Sequence, residues 1–138
     1  MVDLAPGYKE MLRRHLEAET VFDMELTLST LTEDCVFEDM PSGETYQGKE
    51  AVRAYYSEWW DAFAITPVDI RSSIVAQDSL IVETRFVGTH RGAFRGLPAT
   101  GRPVSLPVAI FITLRDGLMA GERFYYDSAT LLGQIAAG

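Results

Sequence analysis

The spacing of the apolar residues changes once along this chain, near Pro67, and that change limits the folds it can adopt. Before Pro67 the apolar residues recur at helical spacing, as Val52, Tyr56, Trp59 and Phe63 do. After Pro67 the chain reads as four β-type runs, at residues 68–76, 79–91, 104–115 and 118–127. Helices followed by consecutive strands predict an α+β fold with an antiparallel or mixed sheet.

Turn and cap residues divide these two halves further. Residues 6–31 are predicted to be helical, with Asp23 capping a second short helix, and residues 48–63 form the next helix. A short strand at 35–37 ends before Pro41, and a final helix covers 128–136. Asp116-Gly117 separates the last two strands and predicts a β-hairpin.

The length of the predicted strands implies a cavity. The run at 79–91 spans roughly 40 Å at about 3.3 Å per residue. A sheet of such strands has to curve, and a curved sheet wrapped by the N-terminal helices encloses a conical pocket.

Composition places the chain among soluble globular domains. Its 138 residues are 47% hydrophobic and 23% charged, which predicts one domain over residues 1–138 with a core large enough to need no disulfide or metal. No stretch approaches the roughly 18 apolar residues of a membrane span. The first residues lack a signal-peptide pattern, and Cys35 has no partner for a disulfide, so a cytoplasmic location is expected.

The charge balance argues against polyanionic partners. Twelve basic residues face twenty acidic ones, for a net charge of −8. The arginines are dispersed and only Lys9 and Lys49 are lysines, so we expect neither nucleic acid nor a membrane surface as a partner. A small hydrophobic molecule is the expected partner.

Several segments together resemble a known family. GTHRGAFRGLPATGRPV at 88–104 and DGLMAGERFYYD at 116–127 resemble the SnoaL-like polyketide cyclases, within the nuclear transport factor-2-like superfamily. HLEAE at 15–19, DCVFED at 34–39 and GKEAV at 48–52 agree with the same resemblance. The resemblance implies a cone-shaped, cystatin-like fold and a cofactor-free enzyme. Such an enzyme abstracts a proton α to a carbonyl and closes a ring by intramolecular aldol reaction on a polyketide-like ester.

The last strand carries the first candidate catalytic group. Period-two alternation puts Arg123, Tyr125 and Asp127 on one face of this strand. In the resembled cyclases an aspartate near its end faces the cavity as general acid/base, which implies that role for Asp127. Arg123 would then help to stabilise an enolate. Asp127 also stands where it can cap the helix that begins at residue 128.

Two further candidates follow from the ketosteroid isomerases of the same superfamily. Asp39 lies in a segment that resembles the one holding their catalytic base, although it also suits a turn before Pro41. His15 falls where those isomerases place a tyrosine that holds the oxyanion. Ala109 falls at the position of their hydrogen-bond-donating aspartate, so one donor is missing. His15 otherwise reads as a polar plug at the cavity floor, bonded to Glu19 or Asp39.

His90 is the other histidine. It shares a strand face with Thr84 and Phe86 and precedes a glycine-rich excursion, which places it at the cavity rim. The resemblance implies that it polarises the substrate carbonyl; a structural role is the alternative. The chain has no His-x-His, His-Glu-x-x-His or paired-cysteine spacing, so we expect no metal and no cofactor. Cys35 reads as a small buried hydrophobic residue.

The aromatic residues form a core stripe and, in part, the cavity wall, which would suit a flat polycyclic ligand. The candidate substrate-binding residues are Tyr56, Trp59, Phe63, Phe86, Phe111 and Tyr125.

The predicted function is therefore acid/base catalysis on a small apolar carbonyl compound, most specifically cyclisation. A non-catalytic binder of a hydrophobic ligand is one alternative. A ketosteroid-isomerase-like or epoxide-hydrolase-like enzyme using the same cavity is another.

A homodimer is also expected. The argument is that one strand face lacks a helix to cover it and has to be buried against a second copy. The residues expected on that face are Val108, Ile110, Ile112, Phe124 and Tyr126.

Overall fold

The structure, a computed structural model, describes residues 4–136 and shows the expected succession of helices and strands. Its helices are α1 (Pro6–Thr20), α2 (Met24–Ser29), α3 (Lys49–Phe63) and α4 (Ser128–Ala136). Its strands are β1 (Leu31–Asp39), β2 (Glu44–Gln47), β3 (Thr66–Ala76), β4 (Ser79–Thr89), β5 (Pro103–Arg115) and β6 (Leu118–Tyr125). Three helices lie in the first half of the chain and four consecutive strands follow them, so the predicted α+β fold is confirmed.

The N-terminal helical region divides where its cap residue predicts. Asp23 accepts a hydrogen bond from the backbone N–H of Leu26 at 3.0 Å, so α2 begins as a separate helix. The first strand is longer than predicted, because the chain turns into β1 at Leu31 and pairs with β6 over most of its length. The short strand β2 was not predicted.

The strands described by the structure form one six-stranded mixed sheet. Their order is β2-β1-β6-β5-β4-β3, and β1 runs parallel to β6 while the other neighbours are antiparallel. The β5–β6 connection is the predicted hairpin. Asp116 and Gly117 have φ angles of +54° and +79°, as a type I′ turn demands.

Helix α3 is held close to the sheet by a glycine. A Cβ atom at Gly88 of β4 would lie 2.3 Å from the carbonyl oxygen of Phe63, so the strand and the helix end approach more closely than any other residue permits. This approach brings the aromatic face of α3 over the concave side of the sheet.

The faces of β5 and β6 are opposite to those predicted. Phe124 is 7% exposed and faces the core, whereas Tyr125 is 40% exposed on the outer side. Val108, Ile110 and Ile112 are likewise buried on the inner face. The prediction of an uncovered apolar face is therefore wrong, because the residues assigned to that face pack into the core. The homodimer stays a prediction without this face as its support.

Within residues 4–136, no helix has the length and apolar character needed to cross a membrane.

Candidate active site

A cavity lies between helices α1 and α3 and the concave face of the sheet. It has two adjoining lobes that share Glu19, Pro67, Phe86 and Phe124. The tyrosine lobe is lined by Tyr55, Tyr56, Trp59, Trp60, Ile65, Leu106, Val108 and Tyr126 besides the shared residues. The histidine lobe adds Leu12, His15, Leu16, Ile70, Leu80, Val82, Thr84, Ile110, Ile112 and Glu122.

Four polar side chains from three elements meet where the two lobes adjoin. We call them the His15 cluster: His15 and Glu19 of α1, Tyr56 of α3 and Glu122 of β6. His15 Nε2 lies 2.7 Å from Glu19 Oε1, 3.8 Å from Glu122 Oε1 and 3.4 Å from the Tyr56 hydroxyl. The i,i+4 spacing on α1 brings His15 and Glu19 onto one helix face, and the inward face of β6 delivers Glu122.

The hydrogen bonds around His15 identify its protonation state. The Thr30 hydroxyl donates its single hydrogen to the Thr27 carbonyl at 2.6 Å. At 2.7 Å from His15 Nδ1, that hydroxyl oxygen can then only accept, so Nδ1 carries a hydrogen. Nε2 faces the Glu19 carboxylate and carries one as well. His15 is therefore an imidazolium, paired with Glu19.

The electrostatics of the cluster agree with this assignment. Burial lowers the pKa of His15, but the charge of Glu19 and its hydrogen bond outweigh burial and raise the pKa above 6.5. Burial raises the pKa of Glu122 to about 8, against the opposing effect of the His15 charge. These pKa shifts favour a protonated His15 and a Glu122 that keeps its proton into the neutral range.

A second polar network, the Asp39 network, borders the tyrosine lobe. It consists of Asp39 of β1, Tyr55 of α3, Tyr126 after β6 and Arg95 of the 90–102 loop. The Tyr55 hydroxyl donates to Asp39 Oδ2 at 2.9 Å, and the Tyr126 hydroxyl lies 2.9 Å from both Asp39 oxygens. Arg95 Nη2 donates to Tyr126 at 3.1 Å and lies 3.5 Å from Asp39.

Asp39 sits behind these tyrosines rather than in the cavity wall. It is 1% exposed, and it also accepts the backbone N–H of Ser42 at 3.2 Å, as the turn interpretation predicted. Burial, and then the charge of Asp39, raise the pKa values of Tyr55 and Tyr126, so both phenols keep their protons. The Arg95 guanidinium stacks over the Phe94 ring at 4.6 Å.

Asp127 lies outside the cavity, and the predicted inward orientation of its side chain is wrong. It accepts hydrogen bonds from Ala129 N–H at 3.2 Å and from the Thr130 hydroxyl at 2.7 Å, which is the geometry of a helix cap. The Thr130 bond lowers the pKa of Asp127. The side chain is exposed, and the Thr130 hydrogen bond outweighs the opposing effect of desolvation on this pKa.

Three further candidates also lie on the outer face of the sheet. Arg123 stacks over Phe111 at 4.9 Å, and the Phe111 ring contacts Tyr125 at 5.4 Å. None of the three lines either lobe, so their predicted cavity positions are wrong. Ala109 also faces outward, between the inward-facing Val108 and Ile110.

His90 is fully buried but lies beside the cavity wall rather than in it. Its Nδ1 is 2.9 Å from the Thr100 hydroxyl, and its ring packs 5.4 Å from Phe63. Its Nε2 has no hydrogen-bond partner within residues 4–136. Phe63 is buried in the same layer and lines neither lobe.

The remaining predicted residues are in the cavity wall. Tyr56, Trp59 and Phe86 line the lobes, and His15 forms the predicted polar plug with Glu19 but not with Asp39. Sequence reasoning missed Glu122 and Tyr126, which the reversed face assignment had turned outward. The i,i+4 pair His15–Glu19 was the available signal for the cluster.

Cys35 is buried, and burial raises the pKa of its thiol, as suits a packing role. Among the described residues no group of His, Cys, Asp and Glu side chains is arranged to hold a metal ion.

The curved six-stranded mixed sheet wrapped by helices is a fold of the nuclear transport factor-2-like class. The sequence matches the model of the SnoaL-like polyketide cyclases over residues 9–135. The chain belongs to the SnoaL-like polyketide cyclase family.

Solved structures share the whole fold at low sequence identity. A protein from Jannaschia sp. CCS1, classed as a SnoaL-like polyketide cyclase, is 23% identical, with a TM-score of 0.85, over 100% of this chain and 99% of its own. TsrD from Streptomyces laurentii is 22% identical, with a TM-score of 0.81, over 99% and 100% of the two chains.

A protein from Catenulispora acidiphila with a ketosteroid isomerase-like fold, solved with trimethylamine, is 18% identical, with a TM-score of 0.78, over 98% and 96%. At these identities the likeness concerns the fold. No curated protein matches the chain.

Proposed function

We propose that this protein is a cofactor-free acid/base enzyme that moves a proton at the carbon α to a carbonyl in a small, largely apolar compound. The observation that carries the proposal is the His15 cluster. The Glu19 carboxylate at 2.7 Å and the neutral acid Glu122 at 3.8 Å both face Nε2 of one imidazolium in an otherwise apolar cavity. Two carboxyl groups held in different protonation states are what proton transfer in both directions requires.

The groups divide the chemistry between them. The Glu19 carboxylate, which lines both lobes, takes the α-proton, and the Glu122 carboxylic acid donates a hydrogen bond to the enolate oxygen as charge develops there. His15 holds Glu19 in place and keeps the site close to neutral. Low solvent access strengthens each of these interactions.

More specifically, we propose that the reaction is an intramolecular aldol ring closure on a polyketide-like substrate. The enolate carbon forms a bond to a second carbonyl carbon of the same molecule, and the proton held on Glu19 passes to the new alkoxide. One C–C bond forms, one proton moves, and nothing is oxidised or reduced. Family membership and the aromatic walls of the tyrosine lobe support this form.

Deuterium exchange at the α-carbon of 2-tetralone, followed by NMR in D₂O, tests the proton transfer directly. Glu122→Gln and Glu19→Gln should each lower the catalysed exchange roughly 10²–10⁴-fold. The matched control is Glu83→Gln, an exposed glutamate on the outer side of β4, which should exchange like the wild type. Ligand binding without exchange above the buffer rate would instead identify a non-catalytic binder.

A chelator distinguishes this mechanism from a metal-dependent one. Exchange should be unchanged after treatment with EDTA. Loss of exchange that an added divalent metal restores would refute the cofactor-free mechanism.

A further inference from the structure

The two polar regions of the cavity differ in the hydrogen-bonding groups that they offer a ligand. The tyrosine lobe also contains the Trp59 Nε1–H, a buried donor with no partner among the described residues. At the His15 cluster the neutral Glu122 is the donor, because the two N–H groups of His15 are already directed to Thr30 and Glu19. At the Asp39 network, the hydroxyl hydrogens of Tyr55 and Tyr126 are both directed to Asp39. A phenol that already donates its only hydrogen to a protein group can only accept a hydrogen bond from a ligand.

Acceptor capacity remains on both tyrosines. Tyr126 receives one hydrogen bond from Arg95, which leaves one lone pair, and no donor to the Tyr55 oxygen is seen within the described residues. Both residues line the tyrosine lobe. Burial and the nearby Asp39 charge raise the pKa values of both phenols, so each hydroxyl keeps its hydrogen, directed to Asp39, across the physiological range.

The donor and acceptor regions are separated by an apolar middle. Glu122 and Tyr126 are four residues apart along β6 and its extension, or about 13 Å between Cα atoms at 3.3 Å per residue. Phe124 lies between them, and Phe86 lines both lobes opposite.

We infer that the substrate is a hydroxylated carbonyl compound: its carbonyl oxygen is held at Glu122 and a hydroxyl or phenol at its far end donates to Tyr55 or Tyr126. This assignment rests on the proposed function for the carbonyl end and adds the second recognition point. A buried acceptor left without a donor is costly, so the same arrangement discriminates against an analogue that lacks the hydroxyl hydrogen.

Binding of matched ketone pairs tests the inference without any need for turnover. The probes are 6-hydroxy-2-tetralone and the longer 4-(4-hydroxyphenyl)butan-2-one, each beside its methyl ether, with Kd measured by calorimetry. For the skeleton that fits the cavity, the wild type should prefer the phenol about tenfold. Tyr126→Phe or Tyr55→Phe should reduce that preference to about twofold.

Tyr125→Phe is the matched control, because Tyr125 is adjacent in sequence but on the outer face, and it should keep the full preference. The inference is overturned if the wild type binds the phenol and the ether equally on both skeletons, or if it binds neither pair. This comparison uses the wild type alone, so it does not depend on the stability of any variant. Exchange without phenol preference refutes this inference alone, whereas phenol preference without exchange refutes only the proposed catalysis.

Discussion

The carboxyl group of Glu122 lies 3.8 Å from Nε2 of His15, and each of these two side chains is only 6% exposed. They come from β6 and α1, and Glu19 of α1 and Tyr56 of α3 are the other titratable groups that face them. Because burial disfavours an ionised carboxyl, Glu122 retains its proton far above the pH at which an exposed glutamate loses it.

Stability should therefore fall as pH rises through the neutral range. The pKa of Glu122 is 4.5 unperturbed and about 8 when folded, so between these values the folded state binds one more proton than the unfolded state. The stabilisation that comes from protonated Glu122 is complete below pH 4.5 and is lost above pH 8. Between these values the free energy of unfolding declines by up to about 1.4 kcal/mol per pH unit. Because the pKa of His15 is also raised, the free energy of unfolding falls further as the pH rises above 6.5.

Thermal melts between pH 5.5 and 8.5 test this linkage. Glu122→Gln should flatten the dependence of Tm on pH, because the amide cannot ionise. The Glu83→Gln control should keep the wild-type slope. A wild-type Tm that is constant or rises over this range would contradict the assignment of a neutral Glu122.

Replacing Asp39 should cost much more than replacing an exposed aspartate. In the wild type the Asp39 carboxylate accepts from several donors. In Asp39→Asn one of its oxygens becomes an –NH₂ group, which faces those donors and cannot accept from them. The substitution should therefore lower the free energy of unfolding by about 2–4 kcal/mol. Asp34→Asn is the matched control on the same strand, since Asp34 pairs with Arg115 at the exposed surface and should cost under about 1 kcal/mol. Urea unfolding measures both, and equal costs would remove the Asp39 network as a stabilising unit.

Asp127 should affect stability rather than catalysis. Asp127→Ala removes the cap of α4 and should cost about 1 kcal/mol, while Asp127→Asn should cost less because its side-chain oxygen still accepts a bond. Neither variant should change α-proton exchange. A Tm equal to the wild type with a hundredfold loss of exchange would return Asp127 to the catalytic role implied by the family.

Two glycines should respond in opposite ways to alanine. Gly88→Ala places a methyl group 2.3 Å from the Phe63 carbonyl oxygen and should lower the free energy of unfolding by more than about 3 kcal/mol. Gly133→Ala, in α4 with open space around it, should stabilise by up to about 1 kcal/mol. Soluble yield and Tm report both, and a well-folded Gly88→Ala protein would show that α3 and β4 are not in close contact.

Local patterns predicted most of the secondary structure. The helical spacing from Val52 to Phe63, the Asp23 cap and the Asp116-Gly117 turn each depend on residues a few positions apart, and each is present in the structure. The short strand β2 escaped prediction because it is defined by its pairing with β1 and not by its own composition.

The candidate site could be predicted only in part. Tyr56 was identified because helical spacing turns it toward a core, and His15 and Asp39 because their positions resemble those of known catalytic residues. Glu122 was missed because the two faces of β6 are similar in composition: one carries Glu, Phe and Tyr, the other Arg, Tyr and Asp. Alternation shows that the faces differ and leaves open which of them is buried.

The sequence by itself determined the α+β class, the order of the elements apart from β2, and the family. These depend on local periodicity and on residues that lie close together in the chain. Tertiary packing decided which face of β6 is inside. A register irregularity opposite Thr113 and Leu114 of β5 turns odd-numbered Met119 and even-numbered Glu122 to the same side, so simple alternation cannot be carried across it. The inner face of β6 packs against α1 and buries Glu122 beside His15, whereas Asp127 on the opposite face lies in solvent at the start of a helix.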